Sequence, residues 1–484
     1  MSHSIYNNIN NCNEIAVKNR IMIAGTNSGC GKTTVTIGIV KALADRGYDV
    51  SSFKCGPDYI DPMFHRNIIG VNARNLDSFF CDDKKICELI LEYGREMTVI
   101  EGVMGFYDGV GEKGSSMEVS EITKTPVILV VNCRGMSDSI GAVLQGFVGY
   151  KKNRICGAVF NRLPESLVDS VKKMCEKLDI KYLGRLPYKR ELEIDSRHLG
   201  LVTADEVCDL KEKVMLLSKT CEENILLDEI IEISKNAGRL VSESSESNEY
   251  SESRENSENI ESSEYSEYSK EPETKISDEP VIAVARDEAF CFLYQDNIDY
   301  LEKKGCIIKY FSPQNDHEIP RNAKGLILPG GYPELYADRL SENKEMLESI
   351  KRAVSLIPVI AECGGFMYLH EKLVNKDGRE YPLAGVIKGS VFEKEKLVRF
   401  GYVTLSPKSK KVFGKECDSL TAHEFHYWES SNCGQDFEAQ KKSNGLKYYT
   451  GFENENLYAG FPHIYFYGNE KFADNFIDRC RGSV

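Results

Sequence analysis

No apolar run in the 484 residues approaches the roughly 20 needed for a helix to cross a bilayer, so no membrane-spanning segment is expected. The 16 cysteines include no C-x-x-C pair, which removes the common zinc-knuckle and dithiol-redox patterns. Basic residues are in deficit: 61 Lys and Arg face 75 Asp and Glu, a formal charge of −14. That balance argues against a nucleic-acid binder, which needs clustered cations. Residues 1–19 are polar and Asn-rich and lack the apolar core of an export signal. They read as a flexible extension, and the thiols are expected to be reduced in the cytoplasm.

The acidity is concentrated. Residues 241–280 hold 13 acidic side chains against Arg254, Lys270 and Lys275, and a Glu recurs at every third position from Glu243 to Glu267. The other residues carry only −4. This stretch has almost no aliphatics, so it cannot bury enough surface to offset chain entropy. A period of three also misses the 3.6 of a helix face. The reading is a solvated, self-repelling linker over 235–279.

On either side of it, short apolar runs alternate with helical patterns. In 20–234 the runs are 21–24, 98–100, 127–131 and 158–160, and a helix is expected from Lys32 to about Arg46 with Gly47 as its stop. In 280–484 the runs are 281–285, 307–310, 326–328 and 359–360, with helices at 295–304, 341–355 and 470–480. Each block reads as an α/β domain built on a parallel sheet.

The first chemical motif is Gly25-Thr26-Asn27-Ser28-Gly29-Cys30-Gly31-Lys32-Thr33-Thr34, directly after a strand and before a helix. Glycines let backbone N–H groups curl around phosphate oxygens, and the helix N-terminus favours the anion. Lys32 would reach the outer phosphates and the Thr33 hydroxyl would ligate Mg²⁺. The first glycine of the usual spacing would fall at Thr26; here it is Gly25. That displacement resembles the dethiobiotin-synthetase-like P-loop enzymes. Carboxylates follow at strand ends: Asp58 and Asp61 in K-C-G-P-D-Y-I-D-P, Glu101, and Asp108 in E-G-V-M-G-F-Y-D-G. Asp58 and Glu101 are assigned to Mg²⁺, with Asp58, Tyr59 and Asp108 near the substrate. Capping or turn formation is the alternative use of such carboxylates. Asn161, ending a strand, reads either as a contact to adenine or as a plain turn residue.

The second motif is P-V-I-A-E-C-G-G-F-M. An apolar strand runs into Cys363, then two glycines, then a helical pattern, the layout of a nucleophile elbow with Cys in place of Ser. A helix N-terminus favours negative charge on the sulfur, and the Gly364 amide can donate to an oxyanion. Gly330 and Gly331, after another strand, could complete that hole. A thiolate nucleophile wants an imidazole, and His423, His426 and His463 are the candidates in this half.

Taken together, K-C-G-P-D-Y-I-D-P-M-F-H, E-G-V-M-G-F-Y-D-G, D-S-R-H-L-G-L, A-R-D-E-A-F-C-F-L-Y, P-G-G-Y-P-E, A-E-C-G-G and H-E-F-H-Y resemble the cobyrinate a,c-diamide synthase family. The resemblance covers the chain from Arg20 onward, apart from the acidic stretch. It implies two three-layer α/β domains: a P-loop synthetase and a class I glutamine amidotransferase. It implies that Cys363 forms a thioester with glutamine and that His463 activates the thiol. ATP with Mg²⁺ would phosphorylate the a and c acetates of cobyrinate, and the released ammonia would displace phosphate. Many class I amidotransferases carry a Glu two positions after the His. Here that position is Tyr465, and no third triad member is assigned. His423 and His426, with Glu424, would line the tetrapyrrole pocket or serve packing.

The same motifs suit the nickel-sirohydrochlorin a,c-diamide synthases. A non-catalytic ATP-dependent switch would be expected to lack Cys363, His463 or the metal carboxylates, and all are present. The expected partners are therefore cobyrinate, L-glutamine and ATP, with neither nucleic acid nor membrane, in a monomer or homodimer.

Overall fold

The structure is a computed structural model that describes residues 19–192 except 112, the stretch 204–240 (backbone alone for 204–208), and 279–482 except 410 and 412. Residues 1–18 of the expected N-terminal extension, the D-S-R-H-L-G-L motif and the Glu repeat lie outside the described residues, and Asn19 begins the first strand.

In β1 (Asn19–Gly25) successive side chains feed two cores: Ile21 and Ile23 one, Met22 and Ala24 the other. β5 (Val127–Asn132) divides likewise, with Ile128 and Val130 opposite Val127, Leu129 and Val131. A strand apolar on both faces must be covered on both, and the parallel crossover supplies the helices to do so. The other strands are β2 (Val50–Cys55), β3 (Asn72–Leu76), β4 (Met97–Glu101), β6 (Ile155–Asn161) and β7 (Lys181–Leu186). All pair in parallel in the order β3-β2-β4-β1-β5-β6-β7. Glu101 stands beside both Ile23 and Lys54, so the carboxyl ends of β1, β2 and β4 converge. Open α/β sheets bind ligands outside such ends. The helix expected after the glycine loop is α1 (Lys32–Asp45), with Val35, Ile39 and Leu43 buried and Gly47 at φ 90° behind it.

The second half repeats the scheme. β8 (Val281–Ala285), β9 (Ile307–Phe311), β10 (Gly325–Leu328) and β11 (Val359–Glu362) are parallel, and the strand Leu457–Gly460 pairs with β11. The helix expected over 341–355 is two helices, Ala337–Glu342 and Lys344–Leu356. Asn343 divides them, and its side chain caps the second through the Met346 N–H.

Between residues 370 and 464 the fold departs from plain strand–helix alternation. A four-stranded and a five-stranded sheet form there, largely antiparallel. Their strands alternate buried and exposed residues, so they lack the continuous apolar runs that marked the parallel strands.

The two halves pack directly on each other. Tyr294, Tyr402 and Tyr465 of the second half sit in an apolar cluster of the first, with Leu76 and Phe80. Arg74 of β3 is buried and pairs with Asp296 at 3.1 Å and Asp299 at 2.6 Å. Its guanidinium lies 3.4 Å from the centre of the Tyr93 ring. Part of the expected linker is packed as well: Ala237 and Leu240 are buried, and the Gly238 carbonyl accepts from Arg20. No helix among the described residues is long and apolar enough to cross a membrane.

Candidate functional site

The glycine loop is shaped by contacts that exclude side chains. A Cβ on Gly25 would come within 2.5 Å of Cys30 Sγ, which accounts for the displaced glycine. Gly29 and Gly31 take φ 77° and 96°, conformations that favour glycine. Asn27, Ser28 and Gly29 are exposed, Thr26, Gly31, Thr33 and Thr34 are half-buried, and Cys30 and Lys32 are buried. Asn161 lies against the loop, and its side-chain amide donates to the Cys30 carbonyl at 2.9 Å. That donor therefore braces the loop from within.

Beside the loop, Thr33 Oγ1 donates to Glu101 Oε1 at 2.6 Å. Lys54 is the residue that sequence reasoning passed over. Its Nζ donates to Asp61 Oδ2 at 2.5 Å and Glu101 Oε1 at 2.8 Å, and stands 3.8 Å from Asp58 Oδ2. Its position opening the K-C-G-P-D motif at a strand end was the available signal. Burial opposes its charge, but Asp61, Glu101 and Asp58 outweigh this and hold the ammonium well above its ordinary range. Burial, reinforced by the Asp61 charge, lifts Glu101 to about 7 and Asp58 to about 6. Asp61 is lowered despite burial, because Lys54 binds it directly.

Glu101 Oε2 is buried with no hydrogen-bond partner among the described residues. A free carboxylate oxygen beside a threonine hydroxyl is the hard-oxygen set that Mg²⁺ takes together with phosphate oxygens, so these residues fit that ion. Asp108 is exposed on the loop after β4, and its Oδ2 accepts from the Gly105 N–H at 2.9 Å.

Cys363 sits at φ 46°, ψ −103°, between β11 and the short helix Gly364–Tyr368. A non-glycine residue in that region is strained, as expected of a nucleophile turned out of a sheet. The Gly364 N–H, first in the helix, has no intrahelical acceptor. A Cβ on Gly364 would lie 3.0 Å from the Gly331 nitrogen, and one on Gly330 would lie 2.4 Å from His463 Cε1. Cys363, His463 and the three glycines are therefore gathered at one point.

His463 is buried, with Nδ1 3.7 Å from Glu362 Oε2. At that distance the contact is an ion pair rather than a hydrogen bond. Burial pushes the imidazole down, but Cys363 and the Glu362 carboxylate beside it outweigh this and raise it to about 10. Glu362 is held in turn by the Ile464 N–H at 2.9 Å. The acid missing from position 465 thus has a counterpart beside Cys363, and the E-C-G-G string carried that signal.

The other two histidines part company. His426 Nδ1 meets the Trp428 carbonyl at 2.6 Å and its ring stacks on Phe461 at 3.9 Å, a packing arrangement. His423 lies directly opposite His463 in the sheet. Burial and the His463 charge push it to about 3, so it stands as a neutral ring.

The two sites adjoin. Tyr59, next to Asp58, places its ring 5.1 Å from His463, 5.5 Å from Phe292 and 4.3 Å from Tyr294. The loop that brings Asp58 toward Lys54 therefore also covers the His463 imidazole.

Residues 21–202 match the family described as the CobQ/CobB/MinD/ParA nucleotide binding domain, and 281–471 match the CobB/CobQ-like glutamine amidotransferase domain. The cobyrinate a,c-diamide synthase of Listeria innocua is 36% identical over 468 residues, spanning 93% of this chain and 97% of its own. Those of Caldanaerobacter subterraneus and Thermoplasma volcanium are 34% and 33% identical, spanning 95% of this chain and 98% and 97% of theirs.

Proposed function

The chain belongs to the cobyrinate a,c-diamide synthase family, and on that premise we propose that it converts the a and c acetate carboxylates of cobyrinate to amides, using glutamine and ATP. The observation that carries the reading is the adjacency just described, a thiol–imidazole–carboxylate set covered by the loop that holds the acidic residues of the nucleotide site.

In the amidotransferase half, the Cys363 sulfur attacks the side-chain carbonyl of glutamine. Gly364 and Gly331 N–H groups receive the developing oxyanion. His463 gives its proton to the departing nitrogen, and ammonia leaves as the thioester forms. Water, deprotonated by His463, then releases glutamate and restores the thiol.

In the nucleotide half, the glycine loop and Lys32 hold the ATP phosphates. Thr33, Glu101 and Asp58 are the residues that would hold Mg²⁺, which when bound draws charge from the phosphate oxygens. A substrate carboxylate oxygen attacks the terminal phosphorus of ATP, ADP leaves, and an acyl phosphate forms. Ammonia adds to its carbonyl, and phosphate leaves. A carboxylate resists a nucleophile until its oxygen becomes such a leaving group, and ammonia at neutral pH is mostly ammonium. A local source beside an activated acid answers both constraints.

The test is the mass of the tetrapyrrole after incubation with ATP, Mg²⁺ and glutamine. Two carboxyl-to-amide conversions on cobyrinate are expected. Unchanged cobyrinate alongside amidated nickel-sirohydrochlorin would transfer the reading to that substrate.

A further inference from the structure

We infer that the face of the five-stranded sheet carrying Phe400 and Phe425 is the seat of the flat macrocycle, so that the amidotransferase half supplies the platform for the synthetase's substrate. The inference rests on the tetrapyrrole reading above and says where that substrate lies.

Residues directly opposed in an antiparallel ladder share a face. The register opposes Phe400 to Phe425, Tyr402 to His423, and His423 to His463. One face thus carries a row of rings: Tyr402 to His423 at 5.6 Å, His423 to Phe400 at 5.9 Å, Phe400 to Phe425 at 5.7 Å. The row is buried at one end, where Tyr402 is 8% exposed, and open at the other, where Phe400 and Phe425 are 51% and 48% exposed. Adjoining half-exposed phenylalanines gain nothing from water, and such a patch marks a binding surface.

The buried end is continuous with the domain interface and the nucleotide site. Tyr402 donates to Asp77 at 2.9 Å and stacks on Phe79 at 4.1 Å. A Cβ on Gly56 or Gly114 would lie 3.7 Å from it. Gly56 belongs to the loop that carries Asp58, so the row of rings begins beside the acidic cluster and ends in solvent.

Charge complements the shape. Lys394, Lys396 and Lys442 are exposed and make no ion pair among the described residues; Glu395 is exposed between the first two, and the Lys394 ammonium lies 5.0 Å from the centre of the Phe392 ring. The Lys442 N–H donates to the Tyr402 carbonyl, and the Lys394 N–H to that of Tyr427, whose ring lies 5.9 Å from Phe425. In a chain of net charge −14, aromatic rings edged by unpaired lysines suit a planar apolar ring system with carboxylates on its rim. The carboxylate being phosphorylated would face the Gly56 end, and the others would meet the lysines.

The experiment uses the full chain and its single tryptophan. Trp428 is buried two residues beyond His426, and a coloured macrocycle on this face quenches its emission. Titration with cobyrinate gives Kd for the wild type, Phe400→Ala, Phe425→Ala and Phe400→Tyr. Each alanine variant is expected to raise Kd and the KM for cobyrinate about tenfold while the KM values for ATP and glutamine hold, and Phe400→Tyr to restore binding. Lys442→Gln should weaken binding and flatten its salt dependence.

Alanine variants that bind cobyrinate like the wild type would overturn the inference. So would variants that lose a dimer in sedimentation without a change in KM, since the face would then join two copies. If the wild type binds sirohydrochlorin and not cobyrinate, and the alanine variants weaken that binding, the platform stands and the substrate reading falls. Binding of neither overturns both.

Discussion

At the scale of single residues, the proposed amidotransferase chemistry rests on how Glu362 and Cys363 act on His463. Cys363→Ser should lower glutamine-dependent amidation on the order of 10³-fold and spare the reaction with added ammonia. Normal glutamine use by that variant would remove Cys363 from the chemistry. Glu362→Gln removes a charge that favours the imidazolium, so the alkaline limb of glutamine hydrolysis should move to lower pH; an unmoved limb would leave Glu362 a purely structural role. The same raised group has a signature in stability. Because the folded imidazole titrates at about 10 and an ordinary one at 6.5, its contribution is full below 6.5 and lost as pH rises toward 10. Denaturant midpoints across that window, compared with those of Glu362→Gln, report it.

At the scale of elements, the end of β2 and the loop behind it form a charge unit. Lys54 is buried and pairs with both Asp61 and Glu101. Lys54→Met would leave Asp61 and Glu101 buried without their ion-pair partner, at a cost of about 3–5 kcal/mol. Urea unfolding should show that loss, and a change below about 1 kcal/mol would mean the carboxylates protonate or are solvated instead. Glu101→Gln tests the other side of the unit. It keeps the shape, removes the oxygen charge beside Thr33, and should impair amidation with either nitrogen source. Unchanged ATP turnover would exclude Glu101 from the nucleotide site.

At the scale of the whole molecule, coupling depends on direct docking. Arg74 is buried between the halves against Asp296 and Asp299. Arg74→Met leaves those carboxylates unpaired at the interface and should loosen it. The expected result is more than one glutamate formed per amide made, with ammonia-dependent amidation kept. A ratio that stays at one would show that the aromatic contacts alone hold the sites together. Shortening the Glu repeat between Glu243 and Glu267 should leave that ratio unchanged, because buried contacts among the described residues already join the halves.

Local order made much of this legible from the sequence. Strand, glycine turn and helix are neighbours along the chain, so the glycine loop at 25–34 and the turn at Cys363 could be read from spacing alone. The apolar runs marked the parallel strands because those strands are buried on both faces. The antiparallel strands between 370 and 464 escaped notice because half of each faces water or a site. What the sequence determined by itself was therefore the pair of α/β halves and the two reactive loops. Tertiary structure alone decided which distant residues complete them. Lys54 meets Glu101 across 47 positions because β2 and β4 are neighbours in the sheet, and Tyr402 meets Asp77 across 325 because the halves dock. No periodicity encodes such pairs, since their closeness follows from strand order and from the shared apolar surface that the two halves bury together.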